Sequence, residues 1–136
     1  MNTTVGHIQF NVAGANLPFY KELFSFLGWN TLYAEEGFFG VGNAQQTSLW
    51  FIGFAKDGVS NDYDGPGMNH LAISTETQAD VDATASYLRE QQVEMLFGTP
   101  QHRPEFSSEG NTYYQVMFET PDRILLEVVY TGPKAE

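Results

Sequence analysis

Cysteine is absent from this 136-residue chain, which excludes disulfides, thiolate zinc sites and cysteine nucleophiles. Basic residues are scarce: 6 Lys and Arg against 17 Asp and Glu leave a formal charge of −11. A surface this negative repels phosphate backbones and anionic lipid, so neither nucleic acid nor a membrane is an expected partner. No apolar run approaches the roughly 18 residues that a membrane helix needs. The start, Met1-Asn-Thr-Thr-Val, has no basic patch followed by an apolar stretch, and the chain reads as cytoplasmic. Glycine-rich phosphate loops, a Gly-x-Ser-x-Gly elbow and a basic aromatic stripe are also missing.

What is present is globular: 42% hydrophobic and 15% aromatic residues, enough for one proper core and short for two independent domains. In Gly6-His-Ile-Gln-Phe-Asn-Val12 the apolar Ile8, Phe10 and Val12 alternate with His7, Gln9 and Asn11, which predicts a strand with one greasy and one polar face. A helix is predicted next, capped by Asn16, with Pro18 in its first turn, Gly28 as stop, and Leu17, Tyr20, Phe24 and Leu27 facing inward. Apolar runs at Trp29–Tyr33, Phe38–Gly42 and Ser48–Phe54, separated by turn residues, read as three strands.

Ala55–Gly67, rich in glycine and aspartate, reads as a connector, and then the pattern restarts. Gly67–Thr75 alternates, with His70, Ala72 and Ser74 on one face and Leu71 and Ile73 on the other. Thr77-Gln-Ala-Asp80 resembles a capping box opening a helix that runs to about Gln91. Val93–Phe97, Thr112–Glu119 and Arg123–Tyr130 supply three more strands, with a long loop Thr99–Asn111. The order β-α-β-β-β thus occurs twice, with His7 and His70 in equivalent places and Leu49-Trp50-Phe51 aligned with Leu126-Glu127-Val128. Neither half buries its sheet alone, so the two are expected to combine. The expectation is an α+β fold of two tandem βαβββ modules (about 1–55 and 67–136, connector 56–66) in a single domain, whose mixed sheets form a cup-like half-barrel with helices outside.

Alternation puts Ile8, Phe10, Leu71, Ile73, Leu126 and Val128 against the helices, and His7, His70 and Glu127 on the opposite, concave side. Two imidazoles and a carboxylate on three strands can converge on one divalent metal and leave its other positions open to substrate or water. Gln9, Trp50, Tyr113, Gln115 and Met117 share that side and are candidates to contact a small-molecule substrate. His102, in the long loop beside Arg103, and Tyr113 are candidate catalytic groups.

Gly67-Met-Asn-His-Leu-Ala-Ile, a helix, then Thr112-Tyr-Tyr-Gln-Val-Met-Phe-Glu-Thr-Pro-Asp-Arg-Ile-Leu-Leu-Glu-Val-Val resembles the second module of the glyoxalase / bleomycin-resistance / extradiol-dioxygenase (vicinal oxygen chelate) superfamily. Gly-His-Ile followed by Pro-Phe-Tyr-Lys-Glu-Leu-Phe-Ser-Phe-Leu-Gly-Trp resembles its first module, so the similarity spans nearly the whole chain. The resemblance implies His7, His70 and Glu127 as metal ligands. The fourth ligand position of glyoxalase I falls near Trp50, which cannot ligate; this points to a three-ligand site, as in extradiol dioxygenases and fosfomycin-modifying thiol transferases. Arg123 stands where such proteins commonly carry Gly in the turn. Ala55–Asn69 lacks the base histidine of extradiol dioxygenases.

The implied function is a metal-dependent enzyme of lyase, isomerase, transferase or dioxygenase type. It would act on an oxygen-bearing substrate held by Fe, Mn, Ni or Zn, and the resemblance implies a homodimer, since family members of this size often pair their modules and some exchange them. The alternative is a metal-free sequestering protein like bleomycin-binding members, which are acidic and dimeric.

Overall fold

Phe51 is the hub of the first half of the chain. Its ring stacks on Phe10 (centroids 5.1 Å apart), Tyr20 (4.7 Å) and Phe39 (5.0 Å) and tilts against Phe24 at 5.4 Å. Around it lie β1 (His7–Asn11), α1 (Leu17–Phe26), β2 (Asn30–Glu35), β3 (Phe38–Gly42) and β4 (Ser48–Ile52). The strands form one mixed sheet in the order β1-β4-β3-β2, with β1 parallel to β4 and the other pairs antiparallel. The computed structural model describes residues 1–135. The chain divides into two compact units, Met1–Ser60 and the stretch from Asn61 onward.

Helix α1 buries Leu17, Tyr20, Leu23 and Phe24. Leu23 belongs to that stripe, whereas Leu27, which helical spacing places on it, is the C-cap residue and only half-buried. Pro18 lies in the first turn as its fixed φ suits. The expected Asn16 cap is not made by its side chain: a 3-10 turn, Gly14–Asn16, leads straight into the helix and leaves Asn16 in helical geometry. Past the helix, Gly28 takes φ +87° and Trp29 N donates to Phe24 O at 2.9 Å, a C-terminal closure that a residue without Cβ makes cheaply.

The second unit repeats the plan with β5 (Leu71–Ser74), α2 (Gln78–Glu90), β6 (Met95–His102), β7 (Asn111–Glu119) and β8 (Leu125–Pro133). Its sheet order is β5-β8-β7-β6, with β5 parallel to β8. The architecture is therefore α+β, two βαβββ modules each with its own four-stranded mixed sheet. The registers coincide: Ile8 faces Leu49 in the first sheet and Leu71 faces Leu126 in the second. Trp50 thus occupies in module 1 the place of Glu127 in module 2. Among the described residues no helix is long and apolar enough to cross a membrane.

Helix α2 opens on a complete capping box: Asp80 N donates to Thr77 Oγ1, and Thr77 N to Asp80 Oδ2, both at 3.1 Å. The shorter Asp reaches back as Glu would. Val81, Ala85 and Leu88 are buried with Val116, Phe118, Leu126 and Val128, the helix-facing side of the sheet.

Two loop expectations change. Residues 99–102 are strand, not loop: β6 runs through Pro100 with a register break between Leu96 and Gln101. Thr99 Oγ1 donates to Leu96 O (2.7 Å) and accepts from Met117 N (2.9 Å), taking a ladder partner's place at the bulge. The connector also divides. Its second half folds onto module 2, where Tyr63 is buried with Met117 and Leu125 and packs against Leu96.

Candidate metal centre

Glu127 is 1% exposed, and a buried carboxylate is costly without partners. It has three. Oε1 accepts from the Tyr113 hydroxyl and from Gln115 Nε2, both at 2.6 Å. Oε2 lies 2.9 Å from His70 Nε2. Strand pleating explains the gathering: Tyr113, Gln115 and Met117 alternate along β7 on one face, and Met117 pairs directly with Glu127.

His70 sits just before β5, its other ring nitrogen committed. Nδ1 meets Asn69 Oδ1 at 2.8 Å, and Asn69 Nδ2 donates to Tyr63 O at 2.9 Å. The Tyr63 hydroxyl donates to Glu119 Oε2 at 2.8 Å, so this chain of bonds ends on β7. On the other side of Glu127, Arg103 Nε donates to Gln115 Oε1 at 2.8 Å. That bond fixes which end of the Gln115 amide faces the carboxylate. Burial, then the bond to Glu127, pushes the Tyr113 hydroxyl up to about 12, so it remains a donor through neutral pH.

The donor set fits a divalent ion. Two ligands bonded at about 2.0–2.2 Å and at right angles stand roughly 3 Å apart, the separation found between His70 Nε2 and Glu127 Oε2. An imidazole lone pair and a carboxylate oxygen that close need positive charge between them, a proton or a metal. Within neither unit do three His, Asp or Glu side chains gather among the described residues; the third ligand of the expected set, His7, belongs to the first unit.

His7 lies at the start of β1 on its exposed face, with Gln9, whose Nε2 donates to Asn11 Oδ1 at 3.0 Å. Trp50 is half-buried; its Nε1 donates to Ser48 Oγ at 3.0 Å. Its ring lies over Gly40, where a Cβ would come within 2.5 Å of the indole. Met117 is buried beneath Tyr63. His102 lies on the other side of its sheet from Glu127. It pairs with Tyr114, whose hydroxyl donates to Asp82 of α2, and its Nδ1 bonds Thr112 Oγ1. Its ring rests 4.6 Å from that of Tyr114. The neighbour, Arg103, is the one that turns toward Glu127. Arg103, Tyr63 and Asn69 were not singled out from the sequence. A lone aromatic ring in a polar connector and an amide beside a ligand-type histidine were the available signals.

No family model matches this sequence, and no curated protein matches it. Solved structures do. A protein from Bacillus halodurans named for glyoxalase superposes with TM-score 0.75 at 22% identity, over 93% of this chain and 95% of that one. A glyoxalase/dioxygenase from Nostoc punctiforme gives 0.66 at 18% identity, covering 95% and 91%. The fosfomycin resistance protein FosX from Listeria monocytogenes, in complex with Mn(II) and sulfate, gives 0.68 at 18% identity, covering 97% and 93%. The fold of this chain is thus the one shared by solved glyoxalase, bleomycin-resistance and dioxygenase proteins of the vicinal oxygen chelate superfamily, which its sequence motifs also resemble.

Proposed function

We propose that this chain is a metal-dependent enzyme acting on a small oxygen-bearing molecule, with His7, His70 and Glu127 holding one divalent ion. The observation that carries the reading is the 2.9 Å contact of His70 Nε2 with a buried carboxylate whose other oxygen is already doubly bonded by donors. Tyr113 and Gln115 hold Glu127 through Oε1, so Oε2 is the oxygen free to ligate. When bound, the ion supplies Lewis acidity toward vicinal substrate oxygens and stabilises negative charge developing there.

Tyr113 keeps its proton, which it donates to Glu127, and its hydroxyl oxygen is left to accept from a substrate group placed beside it. Gln9 and Trp50 contribute amide and apolar surface for the rest of the substrate, whereas Met117, covered by Tyr63, supports the site from below. Lyase, isomerase, transferase and dioxygenase chemistry all fit this donor set. Fe, Mn, Ni and Zn suit two imidazoles and one carboxylate, and the Mn(II) in FosX supports trying manganese first. In a homodimer His7 comes from the same chain or from the partner.

The test is metal analysis of protein purified without chelator, beside His70→Ala and Glu127→Gln. One ion per site in the wild type, lost in both variants, is the expected result; retention by His70→Ala overturns the ligand assignment. Thermal melting with Mn²⁺, Zn²⁺ and Fe²⁺ gives a second readout, since an ion at a hundred times its Kd adds about 2.7 kcal/mol. No response from the wild type would favour a metal-free sequestering protein for a cationic ligand, a reading that the charge of −11 supports.

A further inference from the structure

We infer that Asn69 is a positioning residue which commits His70 to offer Nε2, and not Nδ1, to the metal. The inference rests on the metal-site reading above and deepens it. The Tyr63 carbonyl has no hydrogen to give, so the Asn69 group facing it at 2.9 Å is the amide nitrogen. The amide oxygen must then face His70 Nδ1, at 2.8 Å, and Nδ1 must be the nitrogen that donates. The remaining nitrogen, Nε2, points at Glu127 Oε2.

The reference point is itself anchored. Tyr63 is buried against Met117 and Leu125, its hydroxyl is bonded to Glu119, and the Arg123 guanidinium lies 5.7 Å from its ring centre. The strap of residues 61–69 thus links the ring orientation of His70 to the sheet that carries Glu127. Module 1 has no such device: the residue before His7 is Gly6, which has no side chain to accept from the ring. A histidine whose second nitrogen is held by a fixed acceptor is better oriented and a stronger ligand, and losing such a partner typically costs roughly 10- to 100-fold in metal affinity.

Two variants separate orientation of the ring from tethering of the strap. Asn69→Ala removes both bonds, whereas Asn69→Asp keeps the acceptor for Nδ1–H and loses the donor to Tyr63 O. Calorimetric titration with Zn²⁺ at one fixed pH is expected to show Asn69→Ala weakened roughly 10- to 100-fold and Asn69→Asp binding as tightly as the wild type. Asn69→Ala as tight as the wild type, or Asn69→Asp as weak as Asn69→Ala, overturns the inference. Nitrogen-15 NMR of labelled histidine supplies a readout that does not depend on metal. A hydrogen-bonded Nδ1–H of His70 should be seen in the wild type and Asn69→Asp and be lost in Asn69→Ala. If the wild type binds no metal, the metal-site reading fails, and this resonance alone decides. Its loss in Asn69→Ala upholds the orienting role, and its persistence refutes it.

Discussion

The two modules share strand order, strand direction and register, yet they end differently. Where β4 places Trp50, β8 places Glu127; where β4 places Phe51 at the centre of an aromatic stack, β8 places Val128. The first module spends its equivalent position on an indole laid across Gly40. The second surrounds that position with a phenol, an amide and an imidazole. One backbone plan thus carries an apolar wall in one copy and a polar centre in the other, and the difference lies in the side chains of the last two strands and of the segment before β5. Repetition fixes where a side chain points; only its neighbours decide whether a charge there is tolerable.

The largest effect that sharpens this contrast is at the aromatic hub. Phe51→Ala should cost about 3–5 kcal/mol in denaturant unfolding, and Val128→Ala, at the matching position, about 2 kcal/mol; equal costs would mean the modules are packed alike after all. Gly40→Ala drives a methyl into the Trp50 ring and should cost about 1–3 kcal/mol, most of it recovered when Trp50→Leu is added. If Trp50→Leu brings no recovery, the indole is not what requires the glycine. Thr77→Ala breaks the capping box that only α2 possesses and should cost about 1 kcal/mol.

The smallest effect is spectroscopic. Tyr113 and Tyr114 of module 2 are both pushed up to about 12 from an ordinary 10, by burial first and then by bonds to Glu127 and Asp82. Because these are raised values, any stability they contribute is complete below pH 10 and disappears as pH climbs through about 12. Tyrosinate absorbance should show a late-ionising fraction that loses one tyrosine in Tyr113→Phe and one in Tyr114→Phe.

Much of this was legible in the sequence because it depends on periodicity. His7 and His70 fall at matching places, Leu49 aligns with Leu126, and Thr77 with Asp80 announces a helix start; each follows from local chemistry repeated at a fixed spacing. The left-handed conformation at Arg123 (φ +58°) explains why a glycine-like turn stands there without glycine. The misses are tertiary. The expected strand stops at Phe97 and the expected loop begins at Thr99, whereas β6 continues to His102; nothing local reveals that Thr99 Oγ1 replaces a ladder partner. Tyr63 looked like part of a linker because its burial depends on Met117 and Leu125, far along the chain. His102 and Arg103 are adjacent, so which one turns toward Glu127 depends on the bulge that sets the phase of β6.

The parallel pairing of β1 with β4, and of β5 with β8, has a consequence for how the protein is made. Among the described residues, the strand that opens each module has its one sheet neighbour in the strand that closes it, so His7 and His70 both leave the ribosome before β4 and β8. A nascent chain stopped before Ser48 holds a histidine-bearing strand with nothing to dock on, and one stopped before Leu125 holds two such histidines and still no Glu127. Assembly of the candidate centre must therefore await the synthesis of β8.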